Sequence, residues 1–72
     1  MQVFVVVVNI GGLVENVDTR RTFPEAVELA VSEAAEHSKT DKEKIAATLL
    51  NGESFCADDT DIIIGIHACE MP

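Results

Sequence analysis

The stretch QVFVVVVNI, residues 2–10, decides the fold of this chain, because it carries seven apolar side chains and no charge. Side chains point alternately to the two faces of a strand, so a strand half in water alternates apolar and polar residues. Here both faces are apolar: one carries Val3, Val5 and Val7, and the other carries Phe4, Val6, Val8 and Ile10. The stretch therefore predicts a central strand, and both of its faces need a cover.

The length and composition of the chain predict a single domain over residues 1–72. The chain is 47% hydrophobic and has no Trp or Tyr, so its core has to be built mainly from Val, Ile, Leu and Ala. A domain of this size buries only roughly 60% of the surface that its unfolded chain exposes. We therefore expect a cross-link, a metal or a partner to add to its stability.

The charge of the chain is strongly negative. Thirteen acidic residues against five basic ones give a formal net charge of −8. Because phosphate binding needs a cationic surface, direct binding to nucleic acid is not expected. The predicted partner is a protein with a basic surface, such as the surface with which a protein holds DNA or RNA. Solubility alone is the alternative explanation of the charge.

A second strand follows the Gly11-Gly12 pair, where glycine supplies the positive φ that a tight turn requires. Residues 13–19, LVENVDT, alternate loosely and are more polar than residues 2–10. They predict the return strand of a hairpin, at an edge of the sheet.

A helix is predicted over residues 23–38. Thr22 and Glu25 have the spacing of a capping box, and Pro24 lies in the first turn, where its missing N–H does no harm. One face of this helix is apolar, with Phe23, Val27, Ala30, Val31 and Ala34. The outer face carries Glu25, Glu28, Glu33 and Glu36. We predict that these glutamates bind a basic partner, and the alternative is an ordinary solvated helix face.

Residues 41–50 are compatible with a helix or a strand. The Asn51-Gly52 pair either closes a second hairpin or ends a helix with glycine in the left-handed conformation. Thr40 and Glu43 repeat the capping-box spacing, and Lys, Glu, Ala and Leu favour helix, so we predict a helix here. A final strand is predicted over residues 61–69, DIIIGIHAC, which is mostly apolar on both faces.

The predicted order β-β-α-α-β favours an α+β fold, a two-layer sandwich. A three-stranded, mainly antiparallel sheet carries both helices on one face, and its other face is open. An open apolar face marks an interaction surface. We predict a homodimer joined through it, with contacts from Val3, Val5, Val7, Ile63 and His67. Two alternatives stay open. In the first, the exposed residues of the first strand are Phe4, Val6 and Val8. In the second, a different protein covers the face in place of a second copy.

The loop before the last strand is polar and acidic. Its residues Asp58 and Asp59 are predicted to join the glutamates in binding a basic partner. Together with Asp61 they resemble part of a calcium-binding loop, but the glycine and the bidentate glutamate that such a loop needs are absent from the sequence.

Three side chains are candidates for metal ligands or nucleophiles: His67, Cys69 and Cys56. His67 and Cys69 share one face of the last strand, but there is no Cys-x-x-Cys pair and no fourth ligand at a familiar spacing. A role in packing on a half-buried face of the sheet explains these three side chains better than metal binding or catalysis does. We predict no catalytic residue, no metal site and no cofactor, and a protein that is not an enzyme. The alternative is a small metal- or thiol-dependent domain centred on these three residues.

No signal-peptide pattern opens the sequence, and the apolar run over residues 3–8 is too short to span a membrane. We therefore expect a cytoplasmic protein with reduced cysteines and no membrane partner.

In its organisation the chain resembles small acidic phage-encoded accessory proteins, the group that includes anti-CRISPR proteins and other inhibitors of host machinery. The resemblance covers the whole chain: a valine-rich first strand with a glycine turn, TFPEAVELA opening a helix, acidic charge and a length of 72 residues. It implies a stoichiometric inhibitor that occludes a site on a protein in the host cytoplasm. The group is diverse in fold, so no functional residue is carried over.

Overall fold

The computed structural model describes residues 1–57 and 59–71. Along the chain its elements are β1 (Gln2–Ile10), β2 (Leu13–Arg20), α1 (Phe23–His37), α2 (Lys42–Leu50), β3 (Phe55–Cys56) and β4 (Ile62–Glu70). The fold is α+β, with two helices and an antiparallel sheet. Of the described helices, none combines the length and the apolar character needed to cross a membrane.

β1 and β2 form the predicted hairpin around two glycines. Gly11 and Gly12 have φ angles of 61° and 85°, which suits a two-residue turn with positive φ at both positions. The register of the hairpin shifts between Val8 and Asn9, so that Glu15 is an extra residue on β2. Such a bulge disturbs the regular edge that a foreign strand needs for pairing.

Both helices lie close to their predicted bounds, and residues 42–50 are helical as predicted. At the start of α1, the Thr22 hydroxyl accepts a hydrogen bond from the Glu25 backbone N–H and donates one to the Glu25 carboxylate. The predicted cap of α2 is wrong: Asp41, not Thr40, is the N-cap, and its carboxylate accepts from the Glu43 N–H. Asp41 is a strong N-cap residue and lies directly before the helix.

The end of α2 settles the choice between hairpin and helix. Gly52 has a φ of 82°, and its N–H donates to the Leu49 carbonyl. Glycine in the left-handed conformation is a common way to end a helix.

The prediction of a three-stranded sheet is wrong, because the sheet has four strands in the order β2-β1-β4-β3. The missed strand is β3, whose Phe55 pairs with Ile64 and whose Cys56 pairs with Ile63. A strand of two residues has no periodicity that a sequence pattern can show. β1 and β4 occupy the central positions, as their two apolar faces indicate.

The core lies between one face of the sheet and the two helices. Its fully buried side chains include Val6 of β1, Ile64 of β4, and Ile45 and Leu49 of α2. α1 contributes Ala26, Ala30 and Ala34, which are completely buried. Such small side chains let a helix approach a sheet closely. Phe4 and Phe23 pack edge to face at the margin of this core, with ring centroids 5.6 Å apart.

Candidate protein-interaction surfaces

The face of the sheet turned away from α1 and α2 has no layer over it in the described chain, and we call it the open face. Because Phe4, Val6, Val8 and Ile10 pack on the helix side, the alternate residues of β1 belong to the open face. Val3, Val5 and Val7 therefore lie there, on the same side as Ile63 and His67 of β4. The structure thus selects this set of β1 residues over the alternative that the sequence left open.

Three rows of paired residues cross the open face, and each row runs from β2 through β1 to β4. The rows are Val14–Asn9–Ile63, Val17–Val7–Gly65 and Thr19–Val5–His67. A shorter row joins Val3 to Cys69. Val17, Val14 and Ile63 are the most exposed apolar members, at 55%, 60% and 45% of their full surface. Val3 is only 8% exposed, and Val5 and Val7 are half-buried. The exposed apolar surface is therefore richest toward the turn end and the β2 edge.

No Asp, Glu, Lys or Arg occupies a ladder position of the open face in the described strands. Three charged residues occupy ladder positions of β2 and β4: Asp18, Arg20 and Glu70. Each pairs with a β1 residue whose side chain belongs to the helix side. Glu15 is the bulge residue of β2 and stands outside the ladder. In a chain of net charge −8, the charged ladder residues of the sheet therefore lie on the same side as the helices.

The opposite side of the molecule carries the glutamates of α1: Glu25, Glu28, Glu33 and Glu36, which we call the acidic helix surface. Glu33 is half-buried and the other three are exposed. Over residues 1–57 and 59–71, the two ion pairs are Arg20 with Asp18 and the N-terminal amine with Glu70. The four glutamates thus have no ion-pair partner within the described chain. Glu25 already serves the N-cap of α1, which leaves Glu28, Glu33 and Glu36 as the free part of this surface.

Glu33, Glu36 and His37 stand together in the last turns of α1. One potential ligand atom from each lies within 4.8 Å of the others. The sequence reasoning missed this grouping, although the spacing i, i+3 and i+4 places three residues on one side of a helix. Exposed acidic groups of this kind raise the local negative potential without a metal. The grouping therefore extends the acidic helix surface to the end of α1.

Asp59 has a structural role. Its carboxylate accepts hydrogen bonds from the Ser38 hydroxyl at 2.8 Å and from the Lys39 backbone N–H at 2.9 Å. The Lys39 N–H, followed by the Ser38 hydroxyl, lowers the pKa of the Asp59 carboxyl. Both oxygens are engaged within the chain, so the predicted role of Asp59 in partner binding has no support from its contacts. Asp58, predicted for the same role, lies outside the described residues.

The structure does not bring His67, Cys69 and Cys56 together. All three lie on the open face, but Cys56 pairs with Ile63, six positions along β4 from Cys69. At about 3.3 Å per residue, this separation is about 20 Å. Both cysteines are free and exposed. Among the described residues, no metal-ligand group of three includes any of them. The alternative of a metal- or thiol-dependent domain therefore lacks an assembled site.

Comparison of the chain with family models, curated proteins and solved structures finds no match.

A third feature of the surface is a groove of about 470 Å³ between the two helices. Val27 and Val31 of α1 line it from one side, and Ala46 and Leu50 of α2 line it from the other. Leu50 is 60% exposed. The groove is bordered by Glu28 and Lys42, so it has charged groups at its rim, unlike the open face.

Proposed function

We propose that this protein is a non-enzymatic protein-binding module whose acidic helix surface binds a basic surface of another protein. The distribution of charge carries the proposal. Glu28 and Glu36 are exposed and Glu33 is half-buried, and none of the three has an ion-pair partner in the described chain. The ladder positions of the open face hold no Asp, Glu, Lys or Arg.

The geometry of α1 suits an extended basic surface. Glu28 and Glu36 are eight positions apart on one continuous helix, which corresponds to about 12 Å at 1.5 Å per residue. The capping contact of Thr22 and the buried alanines hold this helix in place against the sheet. A row of carboxylates on a rigid helix attracts a complementary row of Lys or Arg, and it speeds association by electrostatic steering.

A basic surface that normally binds phosphates is the partner that this arrangement fits best, because such a surface is cationic and extended. Binding there would occlude the nucleic-acid site, so the module would act as a stoichiometric inhibitor. The resemblance to phage accessory proteins is consistent with a host protein as this partner. The proposed partner is therefore a host protein that binds nucleic acid.

The test begins with capture of partners on the immobilised protein from a nuclease-treated bacterial lysate, followed by titration of the captured protein. The variant Glu28→Gln/Glu33→Gln/Glu36→Gln changes the formal net charge from −8 to −5. Its matched control, Glu15→Gln/Glu43→Gln/Glu53→Gln, makes the same change at exposed positions away from the acidic helix surface.

We expect the α1 variant to bind at least about tenfold more weakly and with a smaller dependence on salt, mainly through slower association. The control variant is expected to bind nearly as tightly as the wild type. Equal losses in the two variants would show that net charge alone matters, and an unchanged affinity of the α1 variant would refute the proposal.

A further inference from the structure

We propose that a second copy of this chain covers the open face, so that the protein is a dimer of two sheets packed face to face. This contact uses the open face and leaves the acidic helix surface free. A single copy would leave Val14, Val17 and Ile63 each about half in water or more.

The chemistry of the open face fits a copy of itself. Its ladder positions hold no Asp, Glu, Lys or Arg, and polar groups such as Asn9 and Thr19 can both donate and accept hydrogen bonds. The ladder positions of two such faces therefore meet without contact between like charges of Asp, Glu, Lys or Arg. A partner with a charged binding surface would find no complementary charge there.

The size of the open face is sufficient for a stable contact. β1 and β4 have nine residues each. At about 3.3 Å per residue and about 4.8 Å between strands, the face measures about 30 Å by 15–20 Å, or about 500 Å². Two copies then bury about 1,000 Å² of flat area, which reaches the lower limit expected of a specific interface.

The net charge of −8 on each copy does not oppose this arrangement. Packed sheets lie about 10 Å apart, and each helix layer adds about 10 Å on its outer side. The two acidic helix surfaces are then about 30 Å apart, well beyond the Debye length of about 8 Å at physiological salt. Both remain accessible, so the dimer presents two acidic surfaces on opposite sides.

The middle row of the open face suggests how two copies fit. Val17 stands at one end of this row and Val7 lies at its centre, whereas Gly65 at the other end is buried beside Ser54 and His67. A two-fold axis parallel to β1 and passing beside Val7 brings the Val7 side chains of the two copies together and places Val17 of each copy against the β4 side of the other. This contact is reciprocal, as two-fold symmetry requires. The sheets keep nearly aligned strands, as in β-sandwiches.

Sedimentation equilibrium of the full chain, over about 1–100 µM, tests the proposal. The wild type is expected to change from monomer to dimer in this range, with little dependence on salt. Val17→Glu is expected to raise the dissociation constant at least about 100-fold. Leu50→Glu is the matched control, because Leu50 is 60% exposed and Val17 is 55% exposed. Leu50 lies on the helix side of the molecule, away from the open face. This control is expected to dimerise like the wild type.

Far-ultraviolet circular dichroism establishes that each variant is folded. Should Val17→Glu fail to fold, Ile63→Lys on the opposite side of the open face replaces it, with the same expected loss of dimer. A wild type that stays monomeric at about 100 µM overturns the proposal. So does a dimer that survives the open-face variant, which would instead indicate pairing along the β4 edge beyond β3. Neither result bears on the acidic helix surface, which has its own variants.

Discussion

The carboxylate of Asp59 accepts a 2.8 Å hydrogen bond from the hydroxyl of Ser38, 21 positions earlier in the chain. Ser38 is the C-cap of α1 and is 8% exposed, so this contact ties the loop before β4 to the segment between the helices. The Ser38 hydroxyl also lies 2.8 Å from the Thr40 hydroxyl. The Asp59 carboxylate thereby joins the α1–α2 connection to the β3–β4 connection, which are far apart in sequence.

Asp59→Asn is expected to lower the melting temperature at pH 7, because the amide loses the negative charge that the Lys39 N–H and the Ser38 hydroxyl stabilise. The pKa of Asp59 in the folded chain lies below its ordinary value of 3.8. Its ionised form therefore stabilises the fold above that pH, and the contribution is lost as the pH falls through the lowered pKa.

Thermal unfolding of wild type and Asp59→Asn, followed from pH 7 down to about pH 2, measures this effect. The difference between their melting temperatures is expected to shrink below pH 3.8, the ordinary value for the aspartate carboxyl. Glu53→Gln, at an exposed position, serves as the control and is expected to show no such difference. A constant gap between Asp59→Asn and wild type down to the lowest pH would contradict the assignment.

The two faces of β4 are expected to respond differently to truncation. Ile64 is fully buried, so Ile64→Ala should lower the free energy of unfolding by about 2–5 kcal/mol. Ile63 is 45% exposed, and Ile63→Ala should cost less than about 1 kcal/mol in a monomer. Urea unfolding in the Val17→Glu background measures both without a contribution from association. Equal costs would contradict the assignment of Ile64 to the buried core and of Ile63 to the open face.

Gly65 and Ser54 are expected to be coupled. A Cβ atom at position 65 would lie 3.0 Å from the Ser54 hydroxyl oxygen and 3.4 Å from Nε2 of His67. Gly65→Ala should therefore be less favourable by about 0.5–1 kcal/mol in the presence of Ser54 than in the Ser54→Ala background. A double-mutant cycle by urea unfolding measures this coupling, and additive effects would argue against the close contact.

Removal of the α1 cap is expected to have a moderate cost. Thr22→Ala loses the hydroxyl that accepts from the Glu25 N–H, and should lower the free energy of unfolding by about 1 kcal/mol. Ser32→Ala on the exposed side of the same helix is the control. It should be neutral or stabilise by a few tenths of a kcal/mol, because alanine has the higher helix propensity. Equal effects would show that the cap contributes little.

Local patterns were enough to predict most of the elements. The first strand was predicted over residues 2–10 and is Gln2–Ile10, and the first helix, predicted over 23–38, is Phe23–His37. Periodicity and caps are properties of neighbouring residues, so they can be recognised without a fold. β3 was missed because its two residues form a strand only through their pairing with β4.

The exposure of Glu25, Glu28 and Glu36 was also predicted from the helical period, whereas Glu33 is half-buried. The role of Asp59 was not predicted. Its partners, Ser38 and Lys39, lie about 20 positions away, and only the folded chain brings them together.

By itself the sequence determined that β1 and β4 are central strands, that two helices separate them, and that the chain is acidic. Only the tertiary structure decided which side of β1 is covered. Val3, Val5 and Val7 on one face and Phe4, Val6 and Val8 on the other are equally apolar, so the period of two shows two faces but does not rank them. The packing of α1 and α2 makes the choice: it buries Val6 and Val8 beneath the helices and leaves Val17 and Ile63 exposed on the open face.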